Sequence, residues 1–216
     1  MSLVAEPSTI ERAVPDPAAQ ALLLDLTERC FLLLLGGWMA YRFIPAFGSN
    51  PFSALVVISE LLVVLFVVIR RRGPALDTLR AWTVAIIGTC APLMVQPAGR
   101  ELLPLWAAGF LMALGLALSI AAKFVLFRSF GIVAANRGVK RVGPYRLVRH
   151  PMYTGYLITH LGFFSIACSP WNALVYGACW LGMLLRIELE ELILSEDPDY
   201  RDYRGQVTRK LIPHLW

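Results

Sequence analysis

The chain is short of charge. Of its 216 residues, 16% are Asp, Glu, Lys or Arg, whereas 57% are hydrophobic. A water-soluble domain carries roughly 25% charged residues. With a mean hydropathy of +0.62, the polar surface is too small to cover a soluble particle of this size. A soluble enzyme, a disordered tail and a collagen-like fibre are excluded, and a polytopic helical membrane protein is indicated. Cysteine is also sparse. Cys30, Cys90, Cys168 and Cys179 stand singly in or beside apolar runs, with no zinc-ligand spacing. They read as small buried hydrophobes, and no metal site is expected. There is no G-x-G-x-x-G, P-loop, H-E-x-x-H or G-x-S-x-G motif, so no Rossmann dinucleotide site, zincin or serine hydrolase is in view. Residues 1–20 hold Glu6, Glu11, Arg12 and Asp16 and no apolar core of a secretory signal. They read as a mobile tail.

What is present is a series of apolar runs, at roughly 22–46, 52–69, 79–96, 102–122, 151–168 and 171–194. Each approaches the ~20 residues that a helix needs to cross the hydrocarbon layer. The third is short and holds Pro92, so it is expected to be kinked or only partly spanning. The fold class is therefore all-α, with about six transmembrane helices, or about five if the third does not cross. Ser169-Pro170-Trp171-Asn172 gives a tight turn, which predicts that the fifth and sixth helices are antiparallel neighbours.

Loop charge sets the orientation. The formal net charge is +5. Loop 70–80 has four Arg and one Asp, and loop 123–149 has seven Lys and Arg and no acid. The tail adds Arg201, Arg204, Arg209 and Lys210, while the alternate loops are almost uncharged. Basic loops stay cytoplasmic, so both termini are placed in the cytoplasm. The basic charge is read as membrane orientation, not as a nucleic-acid surface. The chain divides into the tail at 1–20, scaffold helices at 21–125 and a region rich in unusual residues at 126–216.

Two constellations in that last region can carry chemistry. The first is Gly143-Pro144-Tyr145-Arg146-Leu147-Val148-Arg149-His150-Pro151-Met152-Tyr153-Thr154-Gly155. Pro151 suits the first helical position, which puts His150 at the N-cap. The unpaired N–H groups and positive dipole end there favour an anionic group. The second is Arg186-Ile187-Glu188-Leu189-Glu190-Glu191. Charge this close to an apolar run faces a bundle interior or cavity, and Arg186 and Glu190, four apart, can meet on one face. A helical hairpin puts residue 150 and residues 186–191 at one depth, so the two can share a cavity. Interfacial anchoring and a solvated helix end are the plainer alternatives. His160 shares a face with Tyr153 and Tyr156; a cavity lining and a hydrogen-bonded interior both remain open for it. Asp25, Arg42 and Glu60 are expected to pair between helices. Tyr200, Tyr203 and Trp216, interleaved with basic residues, suggest an amphipathic tail lying on the membrane surface, and His214 reads as interfacial.

The ordered set G-P-Y-R-x-V-R-H-P-x-Y-x-G, a short apolar hairpin, R-x-x-x-E-E and Y-x-x-Y over residues 128–216 resembles the isoprenylcysteine carboxyl methyltransferase family. Phospholipid methyltransferases are more distant relatives. The resemblance implies an integral membrane methyltransferase that uses S-adenosyl-L-methionine. It implies cofactor contacts from Tyr145, His150, Pro151, Met152, Tyr153 and Glu191, with residues 137–140 nearby, and catalytic roles for Arg186 and Glu190. The implied partner is a lipophilic or lipidated acceptor, with an isoprenylcysteine-type carboxylate or a lipid head group, arriving from the bilayer. The implied location is a bacterial inner membrane with the site facing the cytoplasm. The stretches Arg128-Ser129-Phe130-Gly131 and Asn136-Arg137 depart from the animal pattern. Two other readings are an NADPH-dependent sterol-type reductase, whose R-H-x-x-Y-x-G segment is similar, and a non-catalytic transport or assembly protein.

Overall fold

In the computed structural model, residues 17–69, 79–126 and 138–212 are described. Residues 1–16, most of the 70–80 loop, the Arg128–Gly131 and Asn136-Arg137 stretches, His214 and Trp216 lie outside them. The described residues form seven α-helices: α1 Pro17–Phe43, α2 Ser53–Ile69, α3 Leu79–Cys90, α4 Leu105–Leu126, α5 Pro151–Ile166, α6 Pro170–Leu194 and α7 Pro198–Gln206. Among them there is no strand; Arg100 and Cys168 make an isolated antiparallel bridge. α1 begins at Pro17, so the last residues of the expected tail already belong to a helix. α3 gives way at Ala91–Met94 to a single 3₁₀ turn containing Pro92, as its proline requires.

The bundle exposes many large apolar side chains and buries polar ones within an otherwise apolar core. Leu23, Leu34, Trp106, Phe110, Phe124, Leu174, Leu181 and Leu192 are exposed, while Glu60, Lys123, His160 and Arg186 are buried. So many large exposed apolar side chains suit a surface made for lipid or a partner. By length and composition, one helix among the described residues, Leu105–Leu126, is apolar enough to cross a membrane unaided; Ser53–Ile69 and Trp82–Met94 are shorter apolar helices. Cys179 is buried, but Cys30 is exposed on α1, so the buried-cysteine expectation fails there.

The main correction concerns helix pairing. α5 lies chiefly against α4, and α6 against α3, while α5 and α6 touch sparingly. The cause is a stripe of small residues. A Cβ built on Gly155 would stand 2.6 Å from both the Gly115 carbonyl oxygen and the Ser119 amide nitrogen, and one on Gly162 would stand 2.8 Å from Met112 Cγ. The same close approach joins α3 to α6, where a Cβ on Gly182 would lie 3.0 Å from the Gly88 nitrogen. Small residues let helix backbones meet where side chains would hold them apart. Two tight pairs, α4–α5 and α3–α6, thus leave α5 and α6 splayed, and the space between them is where the polar side chains gather.

The end opposite the basic loops is laced by backbone groups. Arg100 N donates to Cys168 O at 2.8 Å and Leu102 N to Ser165 O at 2.7 Å. Asn172 Nδ2 donates to the Gln96 and Ala167 carbonyls, at 2.9 and 2.8 Å. Of the charges expected to pair between helices, Glu60 does so with His160. Asp25 instead meets Arg29 of its own helix at 2.9 Å, and Arg42 donates to the Leu93 carbonyl at 2.8 Å. Lys123, counted in the sequence with the basic loop, is fully buried in α4 over the Tyr156 ring, 4.8 Å from its centroid.

Gly155→Ala should force α4 and α5 apart and lower stability by about 1–3 kcal/mol, read as a fall in thermal midpoint in detergent. Gly177→Ala, where an added Cβ meets nothing within 4 Å, should hold or raise the midpoint. Equal midpoints for the two variants would contradict the small-residue account.

Candidate active site

The site is built where α5 begins and α6 ends. Pro151 opens α5 with His150 as its N-cap residue, as its fixed φ and missing N–H favour. The His150 side chain makes no capping bond; it is turned instead toward α6. Its Nε2 lies 2.8 Å from Glu191 Oε1, and its Nδ1 lies 3.6 Å from Glu190 Oε2. Glu190 and Glu191, whose sequence spacing set them about 100° apart round the helix, thus flank one imidazole.

Each carboxylate has its own set of donors. Glu190 Oε1 accepts from Tyr153 Oη at 2.7 Å and from Arg186 Nε at 3.1 Å. The Arg186 guanidinium also stands over the Tyr153 ring, 5.5 Å from the centroid, where a cation is attracted to the π face. Glu191 Oε1 accepts from Arg149 Nε at 2.8 Å and from Tyr200 Oη at 2.7 Å. Its Oε2 is buried and accepts no hydrogen bond among the described residues; Arg204 Nε is 4.0 Å away. Glu190 keeps 19% of its side chain exposed against 6% for Glu191, so Glu190 is the carboxylate that an incoming group reaches first.

The carboxy-terminal segment completes the site, and here the structure corrects the surface-lying tail. Tyr200 and Tyr203 of α7 are buried. Tyr203 Oη donates to the Tyr145 carbonyl at 2.6 Å. Beyond α7 the chain returns over the loop, where Arg149 N and His150 N donate to the Arg209 and Lys210 carbonyls, each at 2.9 Å. Thr154 Oγ1 donates to the Leu211 carbonyl at 2.6 Å. No local sequence signal pointed to these long-range backbone bonds. Burial, with the Glu191 carboxylate that Tyr200 donates to, pushes the Tyr200 phenol well above its ordinary range. Tyr200 thus stays a donor at neutral pH.

The residues singled out in the sequence therefore converge. Arg186, Glu190, Tyr153, His150 and Glu191 form one connected cluster. Tyr145 and Pro151 shape the backbone at its edge, and Met152 turns into a cavity. Of residues 137–140, Gly138, Val139 and Lys140 are described and Arg137 is not. A small cavity lies between the splayed helices, lined by Glu60, Val63, Gly88, Thr89, Met152, Tyr156, Met183 and Arg186, with an enclosed volume of about 10 Å³, room for roughly one water. His160 is not in its wall. It is an interior residue, with Nε2 3.0 Å from Glu60 Oε1 and its ring stacked 4.7 Å from that of Tyr176. Thr89 carries no sequence signal, sitting in an apolar stretch that reads as ordinary helix, whereas Tyr156, read on one face with Tyr153 and His160, does line the cavity.

Two comparisons with known proteins bear on this site. Residues 111–196 match the model of the Isoprenylcysteine carboxyl methyltransferase (ICMT) family. The match starts within α4 and stops before α7, so it covers the cluster but not its tyrosine cover. Protein-S-isoprenylcysteine O-methyltransferase A of Arabidopsis thaliana is 36% identical over 62 residues, 28% of this chain and 32% of that protein. The chain thus aligns with about a third of that relative's length. Both similarities support the ICMT family, on a matched segment, residues 111–196, that is about two-fifths of the chain.

Removing the Tyr200 hydroxyl should cost about 1.5–3 kcal/mol, the range for a hydrogen bond to a charged group. A phenol whose folded pKa is raised stabilises fully below its unfolded pKa and loses that contribution as pH rises beyond it. The difference in thermal midpoint between wild type and Tyr200→Phe should therefore be constant from about pH 7 to 9 and shrink above about pH 10. A difference that grows with alkalinity would contradict the Tyr200–Glu191 bond.

Proposed function

We propose that the chain is an integral membrane methyltransferase that uses S-adenosyl-L-methionine to methylate the carboxylate of a lipophilic, isoprenylcysteine-type acceptor. The observation that carries this reading is the clamp on His150: Glu190 and Glu191 flank its ring, and Tyr153 and Arg186 join Glu190, all inside the family-matched segment. The sterol-type reductase and transport readings draw no support from that match.

The cluster fits the cofactor on two counts. The buried Glu191 Oε2, which accepts no hydrogen bond among the described residues and has Arg204 Nε 4.0 Å away, offers an acceptor to an ammonium or hydroxyl, and the Glu190 carboxylate beside the Tyr153 ring suits a sulfonium. Tyr145, His150, Pro151, Met152, Tyr153 and Glu191 are the residues that would hold it. When bound, S-adenosyl-L-methionine supplies an electrophilic methyl group.

The chain's own part is alignment and exclusion of water. Arg186, fixed by Glu190, orients the acceptor carboxylate. A carboxylate is ionised at neutral pH, so no general base is needed. Glu190 holds Arg186 and Tyr153 in one arrangement. Glu191 does the same for Arg149, His150 and Tyr200, and the segment after α7 covers the loop. In this reading about six helices lie in the bilayer with both termini in the cytoplasm, and the acceptor arrives sideways from lipid. The exposed apolar side chains support a bilayer surrounding; the cytoplasmic placement of the termini rests on the charge of the loops.

Calorimetry on detergent-purified protein tests the cofactor half. S-adenosylhomocysteine should bind saturably, and His150→Ala should weaken it at least tenfold, the ~1.4 kcal/mol equivalent of one charge-assisted hydrogen bond. Folded wild-type protein that binds neither S-adenosylhomocysteine nor S-adenosylmethionine would overturn the proposal.

A further inference from the structure

Two residues in the wall of the small cavity beside Arg186 carry hydroxyls that bond nothing else described. Thr89, near the end of α3, and Tyr156 of α5 are both buried, and neither hydroxyl has a hydrogen-bond partner among the described residues. A buried hydroxyl in a helix ordinarily turns back onto a carbonyl of the preceding turn. Ser119, Thr154, Thr159 and Ser165 all do so here; Thr89 does not. The Tyr156 ring is held on its faces: the Lys123 ammonium stands over it, and His160 stacks with it at an interplanar angle of 9°. Its hydroxyl is therefore fixed in place. Glu60, from α2, and Arg186 complete the polar part of the wall. His160 engages Glu60 Oε1 at 3.0 Å, which leaves the carboxylate further lone pairs.

The enclosed volume of about 10 Å³ admits one water and nothing larger. Charge selects the same occupant. A cation would meet Arg186, with Lys123 over the Tyr156 ring, and an anion would meet Glu60. A neutral molecule that both donates and accepts suits a carboxylate, a guanidinium and two hydroxyls at once. We propose that the cavity is the binding site of one structural water that bridges Thr89, Tyr156 and Glu60 to the Arg186 guanidinium, and that Glu60 is thereby a positioning residue for Arg186. Glu60 and Thr89 lie outside the family-matched residues 111–196, so the bridge gives the scaffold helices α2 and α3 a part in holding the cluster. The water site stands on the cavity alone; its effect on methyl transfer rests on the carboxyl methyltransferase reading above.

The sign of two substitutions in the full-length protein tests the water. Thr89→Val and Tyr156→Phe each remove one hydroxyl at nearly constant shape. If a water joins the hydroxyls, each variant should lower the thermal midpoint in detergent by about 2–4 °C. The double variant should fall by less than the two shifts combined, because both lose the same water. Deleting a buried hydroxyl that bonds nothing is neutral or stabilising, so midpoints held or raised in both variants would overturn the water site. A high-resolution density map of the wild type should show a peak at about 2.7–3.2 Å from both hydroxyls and from an Arg186 nitrogen. Ordered side chains with no peak, or a peak out of reach of Arg186, would overturn the bridge. Kinetics test the positioning role. With a prenylated cysteine as acceptor, Glu60→Gln and Thr89→Val should each raise KM about tenfold while the calorimetric affinity for S-adenosylhomocysteine stays within about twofold. An unchanged KM in folded Thr89→Val would overturn that role, even if Glu60→Gln folds poorly. A wild type that methylates no prenylated cysteine would remove the carboxyl methyltransferase reading, and the midpoints and the map would still decide the bridge.

Discussion

Two adjacent carboxylates at the end of α6 organise the part of this protein that can do chemistry. Glu190 and Glu191 draw on five side chains from a loop, two helices and the carboxy-terminal segment: Tyr153, Arg186, His150, Arg149 and Tyr200. Charges buried this deeply are retained only when well paired, and losing one partner of such a pair typically costs about 3–5 kcal/mol. The cluster is therefore a constraint before it is a site. It fixes where the basic loop meets the bundle, which way His150 faces, and how α7 and the segment after it fold back. Glu191 is the inner member and ties together Arg149, His150 and Tyr200, while Glu190 is the more exposed and links the cluster to Arg186 and the cavity.

That cavity exists because of how the helices pair. The chain spends its smallest residues, Gly115, Gly155 and Gly162 on one seam and Gly88 and Gly182 on the other, to bring α4 to α5 and α3 to α6. α5 and α6, although joined by a tight turn, are each held by a different neighbour. The residues that face the gap between them are then free to be polar, and Glu60, Thr89, Tyr156 and Arg186 all line it. Packing in the apolar layer thus determines where polar recognition can take place.

Much of this was legible in the sequence. Apolar runs bounded by Pro, Gly and Arg placed α2, α4, α5 and α6 within a few residues, because the same breakers end a helix in any environment. The N-cap position of His150 followed from Pro151, and the Arg186–Glu190 contact from helical spacing. The glycine stripe that pairs α5 with α4 is present in the sequence, but the short turn between α5 and α6 points to the other pairing. Lys123 was assigned to the loop because a charge normally marks the end of a span, yet it lies inside α4 over Tyr156. The return of residues 209–211 over the loop uses backbone atoms alone, which carry no sequence signature. Tyr200 and Tyr203 looked interfacial because their buried partners, Glu191 and the Tyr145 carbonyl, are distant or not side chains at all.

The claim that most depends on this geometry is that Arg186 presents a carboxylate for methylation. The direct measurement uses S-adenosyl-L-methionine labelled in its methyl group, incubated with the purified protein and a prenylated cysteine in detergent, with alkaline treatment of the organic-soluble product. The account predicts label in that fraction, released by base as volatile methanol, and a large loss of it in Arg186→Ala. Label that resists base would place the methyl group on nitrogen or sulfur and contradict the assignment of Arg186. No organic-soluble label from folded protein that binds the cofactor would contradict the choice of acceptor.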